Sequence, residues 1–199
     1  MKYSIIEDCS PYYIRFTFDG IQDIVDYAKS VELDKVVEHK GYYHEFFDSE
    51  ASSRIFSMLP MSDIIKFKLC SIFTTPPAGG CGVHKDGTDH KVSFNIPLQV
   101  LDNECLTTWY TDNCFTGMPV ETHGGYTRNI FPDWTKLNQF VPSKSMVAQE
   151  GEMILFNTEI FHAWHNNSSN TRKVLLLRSE NPGLLSFYQV RKLLFAKKS

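Results

Sequence analysis

The chain has 199 residues, of which 42% are hydrophobic and 22% charged, and its formal net charge is −3. That length suits one domain, 1–199, with a sizeable core. The near balance of charge, with no basic stripe, argues against nucleic acid as a partner, and no apolar run is long enough to span a membrane.

The opening MKYSIIEDCSPYY lacks the apolar stretch of a secretory signal. The five cysteines (Cys9, Cys70, Cys81, Cys105, Cys114) include no C-x-x-C pair. We therefore expect a reducing, cytoplasmic setting, with the N-x-S sequons at Asn166 and Asn167 unmodified. Residues 20–31 place Ile21, Ile24, Val25 and Ala28 at helical spacing, with Asp19 as the expected N-cap. Residues 41–60 show no clear period, so 1–63 reads as a helical and irregular support. A strand follows at 64–75, rich in β-branched and aromatic residues, and PPAGG then breaks the chain.

Next comes CGVHKDGTDHKVSFNIPL, residues 81–98. His84 and Asp86 stand two apart before a strand in which Val92, Phe94, Ile96, Leu98 and Val100 alternate with Lys91, Ser93 and Asn95. With 7 histidines and 12 aspartates in the chain, chance supplies roughly 0.4 such His-x-Asp pairs, so the pair alone decides nothing. LTTWYT (106–111) reads as another strand. Residues 112–145 mix glycine, proline and aromatics (Tyr126, Arg128 and Trp134 among them) and read as a long insertion, a candidate substrate lid. GEMILFNT, FHAWHNN and TRKVLLLR are three further strands, completing a β core over 64–178, and 184–197 reads as an amphipathic helix.

Strand alternation puts His162, Trp164 and Asn166 on one face and His165 on the other, so the two histidines do not share a metal from a regular strand. No G-x-G-x-x-G or regular strand–helix alternation points to a dinucleotide fold. The order of elements fits an antiparallel barrel or sandwich braced by helices.

The order His84, Asp86, a long interval, His162 and then Arg172 ten residues on resembles the Fe(II)/2-oxoglutarate-dependent oxygenases. Gly151, Glu152 and Phe156 before the distal histidine are similar to that family as well. The His162, Asn166, Ser168 spacing resembles its prolyl and aspartyl/asparaginyl hydroxylase branches. The likeness covers residues 65–178. It implies a mainly β fold with flanking helices, a double-stranded β-helix (jelly-roll, cupin-like) barrel. It also implies Fe(II) held by His84, Asp86 and His162, since two imidazoles and a carboxylate on one face of the metal leave three positions open.

In that family 2-oxoglutarate takes two of these positions and O2 the third. Arg172 is then expected to grip the far carboxylate with its planar fork, with Arg178 as the alternative. The retained Asp86 implies hydroxylation rather than halogenation, with release of succinate and CO2, on a small-molecule or peptidyl substrate. Ser93 and Asn95 are expected to line the pocket where the co-substrate binds. Trp109, Trp164 and Phe156 shape the site or fill the core, and His39, His44, His90 and His123 are expected at the surface or in loops. Two rivals stand beside this reading. One is a cupin-type enzyme of another chemistry, which His-x-His would mark; the other is a jelly roll that only binds a ligand.

Overall fold

The computed structural model describes residues 3–86, 91–99, 103–111, 115, 120–123, 126–129, 134–179 and 185–196, and only the backbone of 120–123, 126–129, 134 and 139. The expectations for His90, for Val100 and for most of 112–133 lie outside the described residues or side chains.

In chain order the elements are β1 (Ser4–Cys9), β2 (Tyr13–Thr17), α1 (Ile21–Ser30), β3 (Lys35–His39), β4 (Tyr42–Phe46), α2 (Ser49–Met58), β5 (Phe67–Thr75) and β6 (Gly80–His84). Then come β7 (Val92–Pro97), β8 (Cys105–Trp109), β9 (Val120–His123), β10 (Tyr126–Asn129), a short 3-10 helix at Trp134–Gln139, β11 (Lys144–Met146), β12 (Met153–Asn157), β13 (His162–Asn166), β14 (Arg172–Ser179) and α3 (Phe187–Phe195).

The strands form an eight-stranded sheet in the order β1-β2-β12-β7-β14-β5-β4-β3 and a four-stranded sheet in the order β11-β8-β13-β6, with β9 and β10 as a separate hairpin. Every pairing is antiparallel. From β5 onward the chain crosses between the sheets in a mirrored sequence: β5, β7, β12 and β14 sit in the large sheet, β6, β8, β11 and β13 in the small one. This is the jelly-roll arrangement expected from the sequence. Among the described residues the two sheets are separate hydrogen-bonded layers, so the barrel is a flattened one.

The outer face of the large sheet is apolar. Phe94, Ile96, Leu155, Leu175 and Leu177 point outward and pack under Ile24 and Val25 of α1, Ile55 of α2 and Val190 of α3 in one buried cluster. Alternation along β7 therefore does what the sequence pattern implies: its apolar face meets the helices, and Ser93 and Asn95 face a cavity between the sheets. Helix α2 starts on Asp48, whose carboxylate accepts from the Ala51 N–H at 2.7 Å. A reciprocal Ser186–Gln189 capping box starts α3.

Two readings need correction. Helix α1 is capped by Gly20, at φ 88°, with no side-chain cap, so Asp19 does not serve; the left-handed turn there suits glycine. The first 63 residues are not merely a helical and irregular support, because they add β1, β2, β3 and β4 to the large sheet. The expected helix at 184–197 is found as α3.

Candidate metal centre

His84 is the last residue of β6 and His162 the first of β13, and the two are register partners in the small sheet. Antiparallel pairing puts both rings on one face, with centroids 4.4 Å apart. Asp86 lies just past β6, where its backbone N–H donates to the Thr158 carbonyl at 3.2 Å. That bond ties the ligand-bearing segment to the β12–β13 turn. Nε2 of His84 lies 3.5 Å from Oδ1 of Asp86. One ligand atom from each of His84, Asp86 and His162 falls within 4.8 Å of the others, and among the described residues no other such trio forms.

The rings are oriented by the backbone. Nδ1 of His84 lies 2.8 Å from the Gly82 carbonyl, and Nδ1 of His162 lies 2.8 Å from the Ile160 carbonyl. A carbonyl only accepts, so each Nδ1 carries the proton and each Nε2 keeps its lone pair for the shared space. This is the outer arrangement that metal-binding imidazoles need. All three side chains are nearly buried, His84 and His162 at 4% and 3% exposure. Oδ2 of Asp86 also accepts from Arg178 at 3.2 Å. Two neutral imidazoles and a carboxylate suit a borderline divalent ion such as Fe(II).

The trio opens into a cavity of about 230 Å³ between the sheets. At its other end stands Arg172, 6% exposed. Its guanidinium donates to Oγ1 of Thr107 at 3.3 Å, while its Nε has no acceptor. Among the described residues no carboxylate lies within ion-pair distance of it. Burial brings its pKa down to about 10, which still leaves it cationic near neutrality. Nε1 of Trp164, also lining the cavity, has no acceptor, and neither does Oγ1 of Thr75, the register partner of Arg172.

An unpaired buried cation beside unsatisfied donors is costly unless a ligand completes it. The donor set fits an anion with a planar head, such as a carboxylate. Thr107 and Trp164 pair two residues along from the His162 row. Arg172, held against Thr107, therefore sits roughly 7 Å along the strands from the trio.

The structure brings together His84, Asp86, His162, Arg172, Ser93 and Asn95 around one cavity. Ser93 donates its hydroxyl to Oδ1 of Asn95 at 2.9 Å. Arg178 lines the same cavity but at the trio end, paired with Asp86 rather than standing free for a second carboxylate. His165 faces the other way, into a separate groove with Thr108 and Asn138. Burial, and then the Arg172 charge, lowers its pKa. Phe156 and Trp164 line the cavity, whereas Trp109 is fully buried beside it.

His39 and His44 are not the surface residues that the sequence suggested. The β3–β4 hairpin joins the large sheet beside β5, and His39 at the end of β3 lines the cavity with Tyr42 and His44 of β4. Nε2 of His44 bonds the Ser71 hydroxyl at 2.8 Å. The only sequence signal was a crowd of aromatic and histidine residues at 39–47, without a period to place them.

Two motif residues prove to be scaffolding. The Asn166 amide donates to the Thr75 and Asn170 carbonyls, and its Oδ1 accepts from the Ser168 N–H, which fixes the turn into Arg172. Glu152, 2% exposed, accepts from the Gln149 N–H and pairs with Arg15 at 2.7 Å.

The sequence matches no protein-family model, and no curated protein is significantly similar to it. Solved structures do match its fold. HygX from Streptomyces hygroscopicus, with nickel and 2-oxoglutarate bound, superposes with a TM-score of 0.55 at 12% identity, covering 87% of this chain and 84% of that one. The epimerase SnoN, in complex with Fe3+, alpha-ketoglutarate and nogalamycin RO, gives 0.52 at 10% identity, with 84% and 78% covered. An oxidoreductase of the 2OG-Fe(II) oxygenase family from Burkholderia pseudomallei gives 0.50 at 14%, with 81% and 79% covered. At these identities the likeness is one of fold: the chain is built on the jelly roll that these oxygenase structures share.

Proposed function

We propose that the protein is an Fe(II)- and 2-oxoglutarate-dependent oxygenase, a hydroxylase that releases succinate and CO2. One observation carries the reading. A buried His-Asp-His trio and a buried arginine without an acidic partner among the described residues face each other across one cavity, roughly 7 Å apart along the strands. A five-carbon keto diacid covers that span, with its keto acid end at the metal and its far carboxylate on Arg172. HygX and SnoN hold a metal with 2-oxoglutarate on this fold, which supports the same assignment here.

In this reading His84, Asp86 and His162 hold the iron by Nε2, a carboxylate oxygen and Nε2. Iron held there would supply the redox chemistry for O2. Arg178 orients Asp86, and Arg172 with Thr107 and the Trp164 indole N–H fixes the co-substrate. Ser93 and Asn95 line the wall between. Phe73, Trp164 and Tyr42, packed ring on ring, make an apolar side that keeps water off. The retained Asp86 carboxylate favours hydroxylation over halogenation. The substrate is a small molecule or a peptidyl side chain.

The test is an anaerobic titration with Fe(II) and then 2-oxoglutarate, following the visible charge-transfer band of the chelated metal. The band is expected in the wild type and in His165→Ala and is lost in His84→Ala and His162→Ala. A folded wild type that binds no iron, or binds it without the band, removes the oxygenase reading and leaves a jelly roll of other use.

A further inference from the structure

A chain of rings leads from the metal centre out through the wall of the cavity to an acid–thiol cluster near the surface. The His162 ring meets Phe156 edge-on at 4.7 Å, and Phe156 meets Trp109 at 4.8 Å. Trp109 stacks on Tyr13 at 5.0 Å and 28°. Trp109 and His162 are also register partners on adjacent strands. Trp109 and Tyr13 are at most 1% exposed, and neither lines the cavity. Neither ring therefore lines the space that a substrate or O2 would occupy.

The far end is arranged for proton transfer. The Tyr13 hydroxyl donates to Oε2 of Glu7 at 3.1 Å, and the Cys9 thiol donates to Oε1 of the same carboxylate at 3.0 Å. Arg15 and Lys144 flank Glu7 at 3.2 and 3.6 Å. The hydrogen bond from Cys9, with those from Arg15 and Tyr13, holds the Glu7 carboxyl below the usual carboxylate range. Burial, and then Cys9 and Glu7, push the Tyr13 phenol far up, so it holds its proton until it is oxidised.

Resting on the oxygenase reading, we propose that Trp109 and Tyr13 form a one-electron relay that drains oxidising equivalents from the metal centre to Cys9 when O2 is activated without substrate. Trp109 gives up one electron toward the metal centre, and Tyr13 refills Trp109. The Tyr13 proton passes to Oε2 of Glu7, leaving a neutral tyrosyl radical and a protonated Glu7. Cys9 then gives an electron to Tyr13 and its proton to Oε1, while the proton on Oε2 returns to the phenolate. The net transfer is one hydrogen atom from Cys9 to Tyr13. A small reducing thiol from solution restores Cys9 by donating a hydrogen atom in turn, and the proton left on Oε1 of Glu7, a partly exposed side chain, passes to water. The phenyl ring of Phe156 bridges the first gap and is not itself oxidised.

The test uses the full chain loaded with Fe(II) and 2-oxoglutarate, checked for its charge-transfer band and then mixed with O2 without substrate. Samples are frozen in milliseconds for electron paramagnetic resonance and digested later for peptide mapping. A tyrosyl signal is expected in the wild type and in Tyr188→Phe, an exposed tyrosine on α3. It should be lost in Tyr13→Phe, which keeps the ring and its packing, and oxidation of Cys9 should fall in the same variant. A band followed by a tyrosyl signal that survives Tyr13→Phe and vanishes in Tyr42→Phe, or by no tyrosyl signal at all, overturns the relay and leaves the oxygenase standing. Absence of the band overturns both.

Discussion

His84 and His162 share one local device, an Nδ1 proton held by the carbonyl two residues earlier, and Asp86 has its counterpart in Arg178. The arginine leaves one carboxylate oxygen for a metal and takes the other. Removing it frees Asp86 to rotate, so Arg178→Met is expected to weaken metal affinity roughly 10- to 100-fold. Competition against a fluorescent chelator measures this, and an unchanged affinity would mean that the pair is incidental. At the cavity's far end Arg172→Gln keeps the packing and removes the charge. Loss of one partner of a buried pair costs roughly 3–5 kcal/mol, so 2-oxoglutarate affinity should fall by roughly two to four orders of magnitude. Metal binding without the co-substrate should stay as it is, and a titration that shows both unchanged contradicts the assigned role of Arg172.

The strands explain what was legible. Pattern reading placed β7 because its two faces meet different things: helices outside, a polar cavity inside. It placed β12, β13 and β14 through short apolar runs between polar turns, while the trio was legible only through the family resemblance that the order His84, Asp86, His162, Arg172 carries. Strands β1, β3 and β4 escaped because their burial is partial. Val36 at the sheet edge is 55% exposed, and no apolar alternation marks a strand that is wet on one side and capped by rings on the other. The Asp19 cap failed for a local reason, a left-handed Gly20 that starts α1 by backbone geometry alone.

The β3–β4 hairpin missed in this way carries His44, whose pKa burial lowers to about 3, with help from the Arg178 charge. The folded protein keeps this ring neutral where the unfolded chain protonates it. The unfolded state therefore binds more protons between roughly pH 6.5 and pH 3, and stability rises with pH across that window. The contribution is complete above about pH 6.5 and is lost as pH falls toward 3. Urea denaturation at pH 7.5 and pH 5 should show a larger loss in the wild type than in His44→Gln, and equal losses would exclude His44 as the source.

At the scale of the whole molecule the site is a bridge between layers. His84 and His162 come from the small sheet, Arg172 and Arg178 from the large one, and Asp86 from the segment between β6 and β7. A metal and a diacid bound across them would tie the sheets together and give Arg172 a carboxylate partner, which it lacks among the described residues. Such a ligand binds the native state and not the unfolded one, and at a hundredfold excess over its dissociation constant contributes about 2.7 kcal/mol. For a chain of this size that corresponds to a rise of roughly 5–10 °C in melting temperature. Anaerobic melting with Mn(II), a redox-silent stand-in for Fe(II), separates the two halves of the bridge. The wild type should gain one increment from the metal and a further one from 2-oxoglutarate. Arg172→Gln should keep the first and lose the second, and His162→Ala should lose both, because without the metal the keto acid end has no anchor. A 2-oxoglutarate increment that persists in His162→Ala would mean that the diacid binds through Arg172 alone. The cavity would then be a carboxylate pocket that does not depend on the metal.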